Sequence, residues 1–380
     1  MKIIFISNYL NNHQTELCGA LYKMEGVDFC FLQTEEMTEE RVKLGWKINE
    51  SEYPYFKDAS TLSKKQLKAL IFTADVIIYG DSAIDITRFV LKRDALVLYY
   101  CERLFKRGKV GFLRRLKCAY KYRVKNRRIK KAVLCASAYA SYDFSLFGAF
   151  KGRRYKWGYF PKFNEYDINE LSNAKIAKPL KLLWVGRIID WKRTIDVVSL
   201  AEKLKCENVD FTLEIVGTGD LEGEIKSEII SRNLSDCVKM TGSLPQSQTR
   251  KKMEEASVLI VTSDKNEGWG VVVNEGLNAG CVCICSNAVG SAPYLIKHGE
   301  NGYLYEACNV DDMKELVVHL YDNAELIKKL SISAYQTLNC GWTPEISAKR
   351  LVKLIDCLKR GKDTPYDSGI CSKAEIIKYD

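Results

Sequence analysis

Residues 263–280 read SDKNEGWGVVVNEGLNAG and follow the apolar run Val258-Leu259-Ile260-Val261. That run predicts a buried strand. Glu267 opens a Gly268-Trp269-Gly270 turn, and Glu275 lies eight positions on, within a predicted helix from Val271 to Ala279. One carboxylate then stands at a strand end and the other about one turn into a helix. Open parallel sheets bind ligands beyond the carboxyl ends of their strands, so both acids face one crevice. Gly268 and Gly270 permit a tight turn and close approach of a ligand, and the amides of the helix start can hold an anion. The pattern suits hydroxyl groups gripped beside a phosphate. The alternative is a surface turn and an amphipathic helix carrying ordinary solvated acids.

Upstream, Leu180 to Val185 predicts a strand that ends in Gly186-Arg187 and is followed, after four residues, by Lys192 and a helix from Thr194 to Lys205. Arginine can bind phosphate oxygens through two parallel bonds, and lysine adds a point charge. Phe211 to Val216 is the next strand, capped by Gly217-Thr218-Gly219. Val238-Lys239-Met240 leads into Thr241-Gly242-Ser243-Leu244-Pro245, and Val282 to Ser286 closes the series. Strands alternating with helices argue for a parallel α/β sheet.

The Glu-x7-Glu spacing headed by Glu-Gly-x-Gly resembles the signature of the retaining glycosyltransferases of family 4, which have the GT-B fold. The resemblance is close over residues 180–305 and reaches the first half only through its strand–helix alternation. It implies two Rossmann-like domains facing a central cleft: residues 1–162 for the acceptor and 163–342 for the nucleotide sugar. A helix over 343–360 packs back on the first domain, and 361–380 form a tail. Glu267 would approach the donor sugar and Glu275 the ribose, with Arg187 and Lys192 on the diphosphate. Gly186, Gly217, Gly242, Ser243, Leu244, Gly268, Trp269 and Gly270 would line the nucleotide-sugar site. The resemblance also implies retention and no cofactor or metal beyond the nucleotide sugar, a UDP-sugar being favoured. The acceptor would be a glycan or a lipid-linked molecule, in cell-surface polysaccharide synthesis. Two rival readings are a catalytically inactive nucleotide-sugar-binding protein and a basic membrane- or nucleic-acid-binding protein.

In the first half, apolar runs at Lys2 to Ser7, Asp75 to Tyr79, Ala95 to Tyr100 and Ala132 to Ala136 predict four strands, with helices near Thr15 to Tyr22, Ser63 to Phe72 and Ile84 to Leu91. Thr34 to Asp58 shows no period and is expected to be a long excursion. Three groups follow strand ends: His13, Asp81, and Glu102 with Arg103. His13 is the candidate for proton exchange near neutral pH. Asp81, Glu102 and Arg103 are candidates for the acceptor side, with Glu102-Arg103 as a surface ion pair the alternative. The family often carries a histidine at the fourth-strand position, where this chain has Asp81 or Glu102.

The 380 residues suffice for two domains, and 58 Lys plus Arg against 48 Asp plus Glu leave a charge of +10 that suggests an anionic partner. From Arg103 to Lys131 there are fourteen basic residues and no acid, with Phe105, Val110, Phe112, Leu113, Leu116 and Tyr120 interleaved. A basic amphipathic helix suggests an anionic membrane surface. A solvated face with its apolar side in the core is the alternative, and no nucleic-acid module accompanies the patch. No apolar run approaches the ~18 residues of a spanning helix, and the start reads as a strand rather than a signal peptide. Fourteen scattered cysteines, without a Cys-x2-Cys pair, and three histidines argue against a zinc site and fit reduced thiols in a cytoplasmic protein.

Overall fold

The structure, a computed structural model, describes residues 1–43, 47–86, 95–106, 111–125, 127–176 and 178–379. The chain divides into two compact units, Met1–Lys162 with Gly341–Asp380, and Phe163–Cys340.

The first unit holds seven strands: β1 Lys2–Ser7, β2 Asp28–Gln33, β3 Phe56–Asp58, β4 Val76–Tyr79, β5 Leu96–Cys101, β6 Lys131–Cys135 and β7 Arg154–Lys156. They pair in the order β3-β2-β1-β4-β5-β6-β7, all parallel. Both faces of the sheet are covered, so Ile3 to Ile6 and Ala132 to Cys135 are unbroken buried runs. Sequence reading found four of these strands. It missed β2, whose apolar run is flanked by Asp28 and Gln33, and the three-residue β7. Thr34 to Asp58 is not an excursion throughout: it ends in β3, and Phe31 donates from its amide to the Tyr55 carbonyl at 2.8 Å. The helix expected from Ile84 to Leu91 lies, from residue 87 on, outside the described residues.

Thr343 opens the late helix Pro344–Lys359. Its hydroxyl accepts from the Ile346 amide at 3.2 Å, and proline occupies the first turn, where no amide donor is needed. This helix packs on the helix Thr15–Tyr22 of the same unit. The tail is ordered along the edge of β7. Lys156 donates to the Ser372 carbonyl at 2.8 Å, and Ala374 donates to the Arg154 carbonyl at 3.0 Å.

The second unit holds β8 Leu180–Val185, β9 Phe211–Val216, β10 Val238–Gly242, β11 Val258–Val261, β12 Val282–Ser286 and β13 Gly302–Tyr305, parallel and ordered β10-β9-β8-β11-β12-β13. Chain order reverses between β8 and β11. That reversal is the point where open α/β sheets hold ligands. The last strand closes the sheet, Cys283 to Ser286 pairing with Gly302 to Tyr305.

Candidate functional site

The exits of β8, β9 and β10 are pressed together backbone to backbone. Gly186 donates to the Val216 carbonyl at 3.0 Å, Gly217 to Gly242 at 2.8 Å, and Ile188 to Thr218 at 2.8 Å. A Cβ on Gly217 would stand 1.8 Å from the Gly186 carbonyl oxygen, and one on Gly219 would stand 2.3 Å from that of Ile188. Three of the glycines singled out from sequence, Gly186, Gly217 and Gly242, thus form one tier. Ser243 is exposed and Leu244 half-buried just beyond it.

Beyond β8 a short 3-10 turn, Asp190–Lys192, sets the Lys192 side chain. A buried relay fixes that turn. The Trp184 indole donates to the Thr262 hydroxyl at 2.9 Å, which donates to the Lys192 carbonyl at 2.6 Å, and the Asp264 amide donates to the Trp191 carbonyl at 2.9 Å. The Lys192 ammonium is paired with the Glu267 carboxylate, their side chains only 17% and 14% exposed. The residue expected on phosphate and the one expected on sugar are therefore a single ion pair at the β8/β11 reversal. Arg187 is exposed instead, its guanidinium 5.7 Å from the centre of the Trp191 ring.

Gly268, Trp269 and Gly270 are buried. The Trp269 indole donates to the Asn274 side chain at 2.8 Å. Gly270 has φ +80°, and a Cβ there would meet Val289 at 2.6 Å, so the turn fits against the exit of β12 only without a side chain. The following helix is Val272–Asn278, seven residues, with Glu275 in its first turn. Burial pushes the Glu275 carboxyl up, against the charge of Arg250 and a bond from Gln246. Arg250 also donates to the Glu275 carbonyl at 3.2 Å and to the Asn278 side chain at 3.0 Å. Sequence reading missed Arg250, Gln246 and Trp191, and Trp191 had a signal: it lies between the two cations that were singled out.

In the first unit the structure joins His13, the proton-exchange candidate, to Glu102, an acceptor-side candidate, through a residue not anticipated. The Tyr159 hydroxyl donates to Glu102 at 2.8 Å, and its ring meets His13 edge-on at 6.2 Å. Glu102 is also paired with Lys106. The alternative reading, a surface pair Glu102-Arg103, does not form, and Arg103 does not join the acceptor-side group. Arg103 is 7% exposed, 3.9 Å from Asp143, with its guanidinium 5.2 Å from the Tyr139 ring centre and 5.9 Å from that of Tyr379. Its place is the interior. Asp81 stands exposed beyond β4.

Burial lowers His13 to about 4, so the imidazole is neutral through the physiological range. The rate limb near pH 6–7 expected of an ordinary histidine base does not apply. A testable consequence concerns stability. The unfolded chain takes up the proton near 6.5 and the folded one only near 4. Stability is full above pH 6.5 and falls as pH drops toward 4. Denaturant titrations should show His13→Gln with a shallower loss over that window; an identical slope would mean that His13 is not protected.

Residues 167–337 match the family model of glycosyl transferases group 1. This stretch, just under half of the chain, is similar to the group 1 glycosyltransferase domain. The chain is 25% identical over 188 residues to the amylovoran biosynthesis glycosyltransferase AmsK of Erwinia amylovora, covering 48% of this chain and 46% of AmsK. It spans about half the length, or less, of the curated relatives it matches. Two solved structures align along nearly the whole chain. A glycosyltransferase from Rickettsia africae has TM-score 0.70 and 14% identity, covering 94% of this chain and 98% of that one. Anabaena HepE in complex with UDP has TM-score 0.67 and 14% identity, covering 94% and 100%. The two parallel-sheet units have the GT-B fold. The matched stretch, residues 167–337, carries the glycine tier, the Lys192–Glu267 pair and Glu275.

Proposed function

We propose that the chain moves a sugar from a nucleotide-diphosphate sugar, a UDP-sugar by preference, to a glycan or lipid-linked acceptor. Transfer retains anomeric configuration, uses no metal, and serves cell-surface polysaccharide synthesis. The carrying observation is the Lys192–Glu267 pair at the strand-order reversal, beside the glycine tier. Backbone without side chains at Gly186, Gly217 and Gly242 lets a nucleotide approach the main chain. Arg187 and Lys192 neutralise charge that grows on the leaving diphosphate, which places electrostatic stabilisation where the transition state needs it. Glu267 holds sugar hydroxyls and Glu275 the ribose. UDP bound to HepE supports the choice of base. Partners are the nucleotide sugar, the acceptor, which meets the His13–Tyr159–Glu102 group, and an anionic membrane surface reached through residues 103–131; nucleic acid is not among them.

The test is product analysis with UDP-, GDP- and ADP-sugars in the presence of a chelator, the product anomer being read by proton NMR. The preferred donor at 100 times its dissociation constant should add about 2.7 kcal/mol to stability. An inverted product, or loss of turnover with the chelator, would overturn retention or metal independence respectively.

Glu275→Gln keeps shape and removes the charged acceptor, so nucleotide affinity should fall by roughly 1.5–3 kcal/mol, the worth of a hydrogen bond to a charged group. The fold should not suffer, because burial already disfavours the carboxylate. Equal affinities by calorimetry would remove Glu275 from the ribose.

A further inference from the structure

We propose that the outward stripe of residues 111–125 inserts its apolar side chains into an anionic lipid surface and seats the first unit on it. This rests on the reading of the basic stretch as membrane-facing and names the residues that enter. Of the ten large apolar side chains exposed among the described residues, five fall within thirteen positions: Phe112 (73%), Leu113 (74%), Leu116 (49%), Tyr120 (61%) and Val124 (54%). Residues 107–110 and 126 of the stretch lie outside the described residues.

The helix Phe112–Ala119 continues into a wider-wound turn, Tyr120–Lys125. Phe112, Leu116, Tyr120 and Val124 recur every fourth residue, which places them on one face. The opposite face is already engaged. Arg114 donates to the Leu104 carbonyl at 2.8 Å and lies over the Phe105 ring, Cys118 and Ala119 pack on the core of the unit, and Tyr122 is buried in it. A solvated basic face would have its apolar side inward; here the apolar side is outward, and the alternative given by sequence fails.

Charge complementarity selects the occupant. Arg115, Lys117, Lys121, Arg127 and Arg128 are exposed around the stripe, and no acid interrupts the stretch. Cations at headgroup level beside aromatic and aliphatic anchors are the pattern of a helix lying in the plane of an anionic interface. The eight-residue helix is roughly 12 Å long, far short of the ~30 Å hydrocarbon core. No helix among the described residues is long and apolar enough to cross a membrane.

The experiment uses the full chain with vesicles of phosphatidylcholine alone or mixed with phosphatidylglycerol, read by flotation. Insertion depth is read from Leu116→Trp with lipids brominated on the acyl chain, against the parent's six tryptophans. The parent should float only with the anionic vesicles, and the indole added by Leu116→Trp should be quenched. The triple variant Leu113→Ser, Leu116→Ser, Val124→Ser should bind more weakly by roughly tenfold for each anchor removed. Arg115→Glu with Lys117→Glu should release the protein as well. If the triple variant binds like the parent and Leu116→Trp shows no added quenching, insertion is wrong while an electrostatic membrane contact stands. If the parent does not float with anionic vesicles even at low salt, both readings fall. A parent dimer that the triple variant converts to monomer would show a second copy on the stripe and overturn the proposal.

Discussion

Lys192→Ala is expected to lower turnover roughly 100-fold or more, the scale of removing one aimed electrostatic donor. It should also destabilise the second unit, because Glu267 would remain mostly buried without its cation. Breaking a fully buried pair costs about 3–5 kcal/mol. The Lys192–Glu267 pair keeps some exposure, so about 2–3 kcal/mol is expected here. The two effects can be separated. Lys192→Met with Glu267→Gln removes both charges, should recover most of the stability, and should leave turnover low. Arg187→Ala gives the converse case. Its guanidinium is exposed on Trp191, so stability should change by less than about 0.5 kcal/mol while turnover still falls. Steady-state kinetics and urea melts on the four proteins check this. A Lys192→Ala enzyme turning over near the parent rate would remove the diphosphate role and leave the pair as structure alone.

That pair also shows where sequence reading stops. Each member was legible because its residue type is unusual at a strand exit. Their contact was not, since 75 positions separate them and only the reversal between β8 and β11 brings their exits together. The second unit was readable because most of its strands are apolar runs followed by glycines and by the charged residues Arg187, Lys192 and Glu267. In the first unit the decisive contact runs from Glu102, beyond β5, to Tyr159, beyond β7, with β6 between, and no local pattern marks it. Arg103 shows the same limit: adjacency to Glu102 suggested a pair, but the side chain turns to Asp143 and two tyrosine rings. Periodicity likewise marked Phe112, Leu113, Leu116 and Tyr120 as one apolar side and did not tell which side turns inward. That was decided by Arg114, Cys118, Ala119 and Tyr122 taking the core side.

Gly217→Ala is expected to be the most damaging single methyl group in the second unit. The residue has φ +143°, where a side chain is strained wherever there is room, and here there is none. The added carbon would stand 1.8 Å from the Gly186 carbonyl oxygen and 2.9 Å from its carbon. Both obstacles are backbone, so no rotamer change relieves them. The exits of β8 and β9 must part, which loosens the bonds from Gly186 to Val216 and from Gly217 to Gly242. Strain of this kind costs on the order of 1–3 kcal/mol. Lost pairing adds about 1 kcal/mol for each bond. A total near 3 kcal/mol would lower the melting temperature of a unit of this size by roughly 6–12 °C. Because the displaced oxygen belongs to the tier proposed to meet the nucleotide, binding should fall along with stability. Gly223→Ala is the control: it lies in the helix Glu222–Ser231 with nothing near its Cβ position, and alanine there should be neutral or stabilising by up to about 1 kcal/mol. Calorimetric melts with and without UDP distinguish the cases. If Gly217→Ala melts with the parent and is stabilised by UDP to the same extent, the strand exits are not packed as described and the tier is not the nucleotide's seat.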